Sequence, residues 1–398
     1  MGKTQEITLS MNKKTTVFVD GDAIISQRPS GIGTATVSLI RALSEDPDFI
    51  AKYRLSVIVA ANKVGKIERW KFNDNVNVKI SLVPGRIFNG LLKYRLLPPM
   101  DIIFGRGVYL FPNFRNWPLI RSPSATYIHD ASFKVYPQFV EKKNLAFLNA
   151  NIARWIDRTS RVITVSKHAQ TEIEKYFPEA KGKTSVVYNG IDDTFKPLPK
   201  SAVTDLLRSY GLTYKKYFMF LSNIEPRKNL EGVLAAYELF CKKNGKDEAS
   251  LLIVGGMSWS EDVMRNKIDS MQKSGCQIIR PSHYVEDRDL PGLLSGAACL
   301  VHAAFYEGFG ISPLQAMACG TQVIVSDVSS LPEVVGDAGE YVDPDDVEAI
   351  AGAMQKTYNK RHDVNTKGIA RAKQFTWKKS AKHLAQELVA INTGGKHG

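Results

Sequence analysis

Residues 307–327, EGFGISPLQAMACGTQVIVSD, leave the chain little choice of local fold. Gly308 and Gly310 flank Phe309 in a tight turn, Ile311 opens an apolar, Ala-rich helix, Gly320 ends it, and the β-branched run from Val323 to Val325 reads as a strand. Glycines just ahead of a helix start leave backbone N–H groups free where the positive end of the helix dipole lies, which suits a phosphate. Glu307 beside that point does not favour an anion and is better placed to hydrogen-bond hydroxyls. An acid next to an anion site reads as a site for a molecule carrying both sugar and phosphate. The competing reading is a strand–turn–helix whose glycines serve close packing alone.

A second block lies upstream. In residues 220–230, FLSNIEPRKNL, an apolar strand ending at Leu221 runs through Asn223 into Arg227 and Lys228 at the start of another helix. Two adjacent cations at a strand's carboxyl end, near a helix start, are well placed for a diphosphate. A lone Arg-Lys pair is ordinarily a solvated face; the Glu-Pro turn before it and Asn229 after it argue otherwise here.

At 398 residues the chain exceeds what one core usually supports. Strand-like runs at 16–20, 55–60, 162–165, 251–254 and 323–325 alternate with helical stretches, which implies βαβ units and parallel sheets with ligands at the strands' carboxyl ends. The pattern is interrupted at residues 195–203, FKPLPKSAV, the best candidate for a boundary between domains 1–196 and 197–374. Residues 375–391, FTWKKSAKHLAQELVAI, read as an amphipathic helix. There is no internal repeat beyond two sheet halves and no low-complexity tract.

EPRKNL followed by YEGFGISPLQAMACGTQVI and then SSLPEVVGDAGEYVDPDD resembles the retaining GT-B glycosyltransferases of family 4, and among them the bacterial group typified by O-antigen mannosyltransferases. The likeness covers almost the whole chain: SGIGTATVSLIRAL (30–43), ATYIHDASF (125–133), VITVSKHAQTEI (162–173) and VVYNGIDDTFKP (186–197) come in the family's order. It implies an α/β GT-B fold, two Rossmann-like parallel-sheet domains facing across a cleft. The first would bind the acceptor, the second the nucleotide-sugar, and the last helix would pack back on the first domain. It implies retaining transfer of a hexose, best matched by mannose from GDP-mannose, onto a lipid-linked or other saccharide acceptor in bacterial surface polysaccharide synthesis. UDP-hexoses serve near relatives that share these motifs.

The resemblance also assigns roles. Arg227 and Lys228 would meet the donor diphosphate, with Asn223 in the same block, while Gly308, Phe309, Gly310 and Ile311 present helix-start N–H groups to phosphate and Glu307 holds the sugar hydroxyls. The base would lie against His283, Tyr284 and Val285, and Gly31 and Gly33 would approach the diphosphate from the other domain. His129 would sit near the transferred sugar, contacting a hydroxyl rather than acting as general base, with Asp130 orienting the imidazole or touching the acceptor. The acceptor would attack from the face the nucleotide leaves, with a donor phosphate oxygen taking the proton and no enzymic nucleophile. One position departs from the family: Gln315 stands where a second glutamate usually holds the ribose hydroxyls. Glutamine keeps an acceptor oxygen but loses the charge-assisted bond, which bears on nucleotide choice or affinity. It also leaves a non-catalytic nucleotide-sugar-binding protein as the alternative.

No Asp-x-Asp pair lies in these motifs; Asp20-Gly-Asp22 and residues 343–346 fall outside them. No metal or other cofactor is therefore expected, and Arg227, Lys228 and helix N-termini would offset the charge on the leaving diphosphate. Up to Lys196 the chain carries 29 Lys and Arg against 17 Asp and Glu, and beyond it 24 against 23, so nearly all of the +13 net charge belongs to the first domain. No RNA-binding or helix-turn-helix motif accompanies it, so nucleic acid is not the expected partner. An anionic inner-leaflet surface or a polyprenyl-diphosphate-linked sugar fits better, a merely basic surface being the plain alternative. In RIFNGLLKYRLLPP (86–99), Arg86, Lys93 and Arg95 mix with apolar residues; as a helix it would lie among lipid headgroups or dock on the first sheet. No apolar run reaches ~18 residues, and the start MGKTQEITLSMNKK lacks a signal-peptide core while Glu6 spoils a myristoylation pattern. The expected location is the cytoplasm, peripheral to the inner face of the membrane. Cys241, Cys276, Cys299 and Cys319 form no metal-binding spacing and read as buried, reduced thiols, Cys319 serving packing rather than nucleophilic attack.

Overall fold

The computed structural model describes residues 14–26, 31–81, 85–94, 96–256 and 261–394. The start MGKTQEITLSMNK and Ser30 of SGIGTATV lie outside them, as do Arg95 and the side chains of Arg86 and Lys93.

Seven strands form the first sheet: β1 (Thr15–Asp20), β2 (Tyr53–Ala60), β3 (Val76–Ser81), β4 (Val108–Phe111), β5 (Ser124–Tyr127), β6 (Arg161–Thr164) and β7 (Thr184–Val186), in the order β3-β2-β1-β4-β5-β6-β7. Six form the second: β8 (Tyr217–Leu221), β9 (Ser250–Val254), β10 (Ile278–Ile279), β11 (Cys299–His302), β12 (Gln322–Ser326) and β13 (Glu340–Val342), in the order β10-β9-β8-β11-β12-β13. The pairings are parallel. Central strands such as VYLF in β4 and YFMFL in β8 are apolar on both faces, as parallel strands sandwiched between helices must be. Strand order reverses between β1 and β4 in one sheet and between β8 and β11 in the other. Sheets of this kind open a ligand crevice beyond the carboxyl ends of the strands at such a point.

The chain divides into a smaller compact unit, residues 1–126, 159–161 and 381–398, and a larger one, residues 127–158 and 162–380. By contacts, residues 162–196 share a unit with those that follow them. In the smaller unit Phe18, Ile58, Tyr109 and Phe111 of the sheet pack against Phe88, Leu92, Leu97, Met100 and Trp117. The helix Gly85–Lys93 thus docks an apolar face on the sheet and leaves Ile87 outward, with Tyr94 and Leu96 exposed just after it. Arg161 and Glu387 form a buried ion pair at 2.8 Å in the same unit. In the larger unit Phe218, Phe220, Leu251, Ile253, Cys299 and Val301 meet Val233, Tyr237 and Phe240 of the helix Leu230–Asn244 and Ile350 and Met354 of the helix Val347–Asn359. All four cysteines are free and buried, and burial pushes the Cys241, Cys299 and Cys319 thiols up to about 12.

Asp20 ends β1 only 8% exposed, and its Oδ1 accepts the Asp22 N–H at 3.0 Å. Asp22 in turn pairs with Arg115 and, at 3.2 Å, with Lys63. Burial pushes the Asp20 carboxyl from its ordinary 3.8 up to about 6, more than Arg115 pulls it down. Between those two values the folded chain holds a proton that the unfolded chain has released, so this group withdraws stability as pH rises through that interval. The stability advantage of Asp20→Asn over the wild type should therefore grow from pH 4 to pH 6 and stay constant above it. Urea unfolding across that range measures it, and a pH-independent difference would refute the shift.

Candidate functional site

The turn after β8 is locked by Asn229. Its backbone adopts the left-handed conformation at φ 55°, its Oδ1 accepts the Gly232 N–H at 3.0 Å, and its Nδ2 donates to the Ala303 and Pro344 carbonyls at 2.9 and 2.7 Å. A Cβ at Gly232 would lie 2.6 Å from that Oδ1, so the cap requires glycine there. Asn229 thereby starts the helix Leu230–Asn244 and ties the turn Pro226–Lys228 to the segment leaving β11, where the Phe305 N–H donates to the Arg227 carbonyl at 2.9 Å.

That segment carries Glu307. The Glu307 N–H donates to Ser329 Oγ and its carbonyl accepts from Ser330 Oγ, both at 2.9 Å, so its backbone is clamped on two sides. Gly310, at φ 101°, begins the helix Ile311–Ala318 with no side-chain cap. Among the described residues the N–H groups of Phe309, Gly310, Ile311 and Ser312 make no hydrogen bond.

The two turns meet at the switch point between β8 and β11. Lys228 Nζ donates to Glu307 Oε1, and His302 Nε2 lies 2.8 Å from the same oxygen. Arg227 Nη1 donates to the Tyr306 carbonyl at 2.8 Å and stands 3.6 Å from Glu307 Oε2, while Nη2 reaches Glu225 at 3.3 Å. The Glu307 and Lys228 side chains are 12% and 10% exposed. Burial alone would push the Glu307 carboxyl up, but Lys228, His302 and Arg227 outweigh it and hold it well below the usual carboxylate range. Glu307 is an ionised acceptor at neutral pH. Burial pushes His302 below its ordinary value, so its imidazole is neutral there.

The HDAS segment belongs to the same unit. A Cβ at Gly308 would lie 3.0 Å from the His129 carbonyl and 3.1 Å from Asp130 Cβ, so the EGFG turn runs directly against the His129–Asp130 backbone. Asp130 Oδ1 accepts the Ser132 N–H at 2.9 Å, and its charge acts on Arg227. The His129 ring stacks on Tyr127, centroids 5.5 Å apart. The other candidates are more scattered. Asn223 is exposed in the turn after β8, and Gln315 is half-buried on the helix Ile311–Ala318, its amide without a hydrogen bond among the described residues. His283 and Tyr284 are exposed and Val285 buried in the loop after β10, with the His283 ring 5.5 Å from that of Tyr210. Gly31 and Gly33 open the helix Gly31–Ser44 in the smaller unit.

Sequence reasoning missed several residues of this neighbourhood. Tyr306 donates to Glu172 at 2.8 Å and accepts from the Ala131 N–H at 3.4 Å. Ser166 Oγ donates to the Gly308 carbonyl at 2.7 Å while capping the helix Lys167–Tyr176. Glu333 accepts from the N–H groups of Lys167 and His168 and from the Tyr188 hydroxyl at 2.7–3.1 Å. His302 ends the apolar run CLVH; a polar residue closing a buried strand five positions before an acid was the available signal. Among the described residues no cluster of three or more His, Cys, Asp or Glu side chains has metal-binding geometry, and no helix is long and apolar enough to cross a membrane.

A basic pair and a buried carboxylate thus meet at the switch point of a parallel sheet, beside helix-start N–H groups unpaired among the described residues, on a two-sheet Rossmann-like fold. The family models for glycosyltransferase family 4 and for glycosyl transferases group 1 match residues 29–195 and 206–375, and the chain belongs to these GT-B glycosyltransferases. It is 32% identical to the O-antigen chain mannosyltransferase B of Escherichia coli over 68% of this chain and 71% of that one. It is 26% identical to the O-antigen chain mannosyltransferase RfbU of Salmonella typhimurium, covering 81% and 82%. Among solved structures, the sucrose-phosphate synthase of Thermosynechococcus elongatus superposes with a TM-score of 0.71 at 17% identity, over 96% of this chain and all of that one.

Asn229→Ala deletes the cap, leaves the Ala303 and Pro344 carbonyls short of a donor, and puts alanine in a left-handed backbone. We expect a loss of about 2–4 kcal/mol in unfolding free energy, read as a lowered urea midpoint with an unchanged m-value.

Proposed function

We propose that the chain transfers mannose, with GDP-mannose as donor and with retention of configuration, onto a lipid-linked or other saccharide acceptor of a bacterial surface polysaccharide. The observation that carries the reading is the interlocked group of Lys228, Arg227 and Glu307 at the β8–β11 switch point, beside the free N–H groups of the helix Ile311–Ala318. The mannosyltransferase names of the two relatives support the sugar; guanosine diphosphate as its carrier, and retention, rest on the family resemblance, in which relatives with the same motifs also use UDP-hexoses.

In this reading the donor diphosphate lies against Arg227, Lys228 and the helix start, where fixed cations and oriented N–H dipoles offset the charge that develops as the nucleotide leaves. An ammonium has three N–H donors, so Lys228 holds Glu307 and a phosphate oxygen together. Glu307 accepts from sugar hydroxyls. Gln315, its amide not otherwise engaged, meets the ribose, and the base lies against residues 283–285. His129 contacts the transferred sugar, and Asp130 orients it or touches the acceptor. Gly31 and Gly33 approach the diphosphate, with residues 1–196 serving the acceptor and 197–374 the donor. No metal or cofactor has a role. The basic first domain, with Ile87, Tyr94 and Leu96 outward, rests on the anionic inner face of the cytoplasmic membrane.

The test is a thermal-shift and calorimetric panel of GDP, UDP, GDP-mannose, UDP-glucose and UDP-N-acetylglucosamine, with and without EDTA, on wild type and Lys228→Ala. One nucleotide should stabilise the wild type regardless of EDTA. The variant should lose that response, and sugar transfer should fall about 10²–10³-fold. Stabilisation by a uridine nucleotide would move the proposal to a UDP-hexose donor. Binding without transfer to any saccharide acceptor would favour a nucleotide-sugar-binding protein, the reading that Gln315 supports. No response to any nucleotide would overturn the donor site.

A further inference from the structure

His302 is buried more deeply than any other side chain of the Lys228–Glu307 group, at 2% exposure. It is the last residue of β11, opposite Val325 of β12. Cys299 and Val301 of the same strand point into the hydrophobic core, so the alternation of the strand sends His302 to the other face. Among the described residues its Nδ1 is buried with no hydrogen-bond partner. Its Nε2 lies 2.8 Å from Glu307 Oε1. A buried imidazole with one orphaned nitrogen is a poor choice for packing, because an apolar side chain of similar volume would avoid the orphan altogether. Among the described residues the only polar contact of its side chain is with the site carboxylate.

That contact has a direction. Glu307 is ionised and can only accept, so Nε2 carries the proton and donates, which fixes the tautomer. Oε1 thus receives both His302 and Lys228, whereas among the described residues Oε2 has only Arg227 Nη1 at 3.6 Å, beyond hydrogen-bond distance, one N–H of which goes to the Tyr306 carbonyl. One oxygen of the carboxylate is filled and the other is left with its acceptor capacity.

We propose that His302 is a positioning and specificity-determining residue. By holding Glu307 Oε1 it fixes the rotation of the carboxylate and presents Oε2 to the hydroxyls of the transferred sugar, leaving Lys228 free to serve the diphosphate. The inference rests on the donor-site reading above. It adds that recognition of the sugar, as distinct from the nucleotide, depends on a side chain that touches neither.

The experiment separates these two parts of the donor. Affinities of wild type, His302→Leu and His302→Gln are measured by calorimetry for the stabilising nucleoside diphosphate and for its sugar-bearing form, with kcat and KM for transfer. In His302→Leu the nucleoside diphosphate should bind as in wild type. The extra affinity contributed by the sugar should vanish, and kcat/KM should fall about tenfold or more, as for loss of a hydrogen bond to a charged group. His302→Gln, which keeps an N–H donor, should restore most of both. Nitrogen NMR on the wild type gives a reading that needs no variant to fold: His302 should be the neutral Nε2–H tautomer, perturbed by the nucleotide-sugar and not by the nucleoside diphosphate alone. A sugar increment intact in His302→Leu, or an NMR response identical for both ligands, overturns the proposal while leaving the donor site standing. Failure of the wild type to bind any nucleotide-sugar overturns both.

Discussion

Everything that recommends this site hangs on one buried carboxylate. Taking Glu307 out of water is costly unless it is paired and hydrogen-bonded, and the chain meets that cost with residues far apart in sequence, Lys228 in the turn after β8 and His302 at the end of β11. The bond works only if both turns hold their shape. Asn229 holds the first through a left-handed backbone and three hydrogen bonds, while Ser329 and Ser330 hold the second through the Glu307 backbone. Parallel strand order does the rest: β8 and β11 are neighbours with helices leaving in different directions, so their carboxyl ends converge on one spot.

The parts of this arrangement that were legible in sequence were those where a residue type contradicts its surroundings. Arg227, Lys228 and Glu307 are charges at the ends of apolar strands, and Gly310 is a glycine where a helix must begin, so each declared itself. The alternation of strand and helix was equally plain and led to the parallel α/β architecture. His302 was not legible, because one imidazole after CLV looks like ordinary strand termination. Glu333 was hidden for a different reason. Within LPEVV it reads as a surface position of its own short helix, and only the fold reveals that its carboxylate caps the helix Lys167–Tyr176, some 165 residues away in sequence. Long-range capping leaves no periodic trace.

Two further features show where sequence patterning loses resolution. The proline-rich stretch at 195–203 marks an interruption of the strand–helix rhythm, whereas compactness is decided by contacts, and those bind residues 127–158 and 162–196 into the larger unit. Ser166, Tyr306 and the close approach of Gly308 to the His129 carbonyl are among the contacts responsible. The segment RIFNGLLKYRLLPP carried two readings, a helix on the sheet or a helix among headgroups. Phe88 and Leu92 take the first, while Ile87, Tyr94 and Leu96 remain outside. An amphipathic pattern gives the angle between faces but not which neighbour each face meets.

The buried thiols have a practical consequence. Thiol-directed labels react with the thiolate, and a thiol that titrates near 12 behind a packed core supplies almost none at neutral pH. With Cys276 buried as well, the native thiols should leave the protein close to the cysteine-silent background that site-specific spectroscopy usually has to engineer. Lys52→Cys in the smaller unit and Lys243→Cys in the larger, both at exposed positions, would take a pair of fluorophores with little competition from the native thiols. The distance between them could then be followed through donor and acceptor binding in the otherwise unaltered chain.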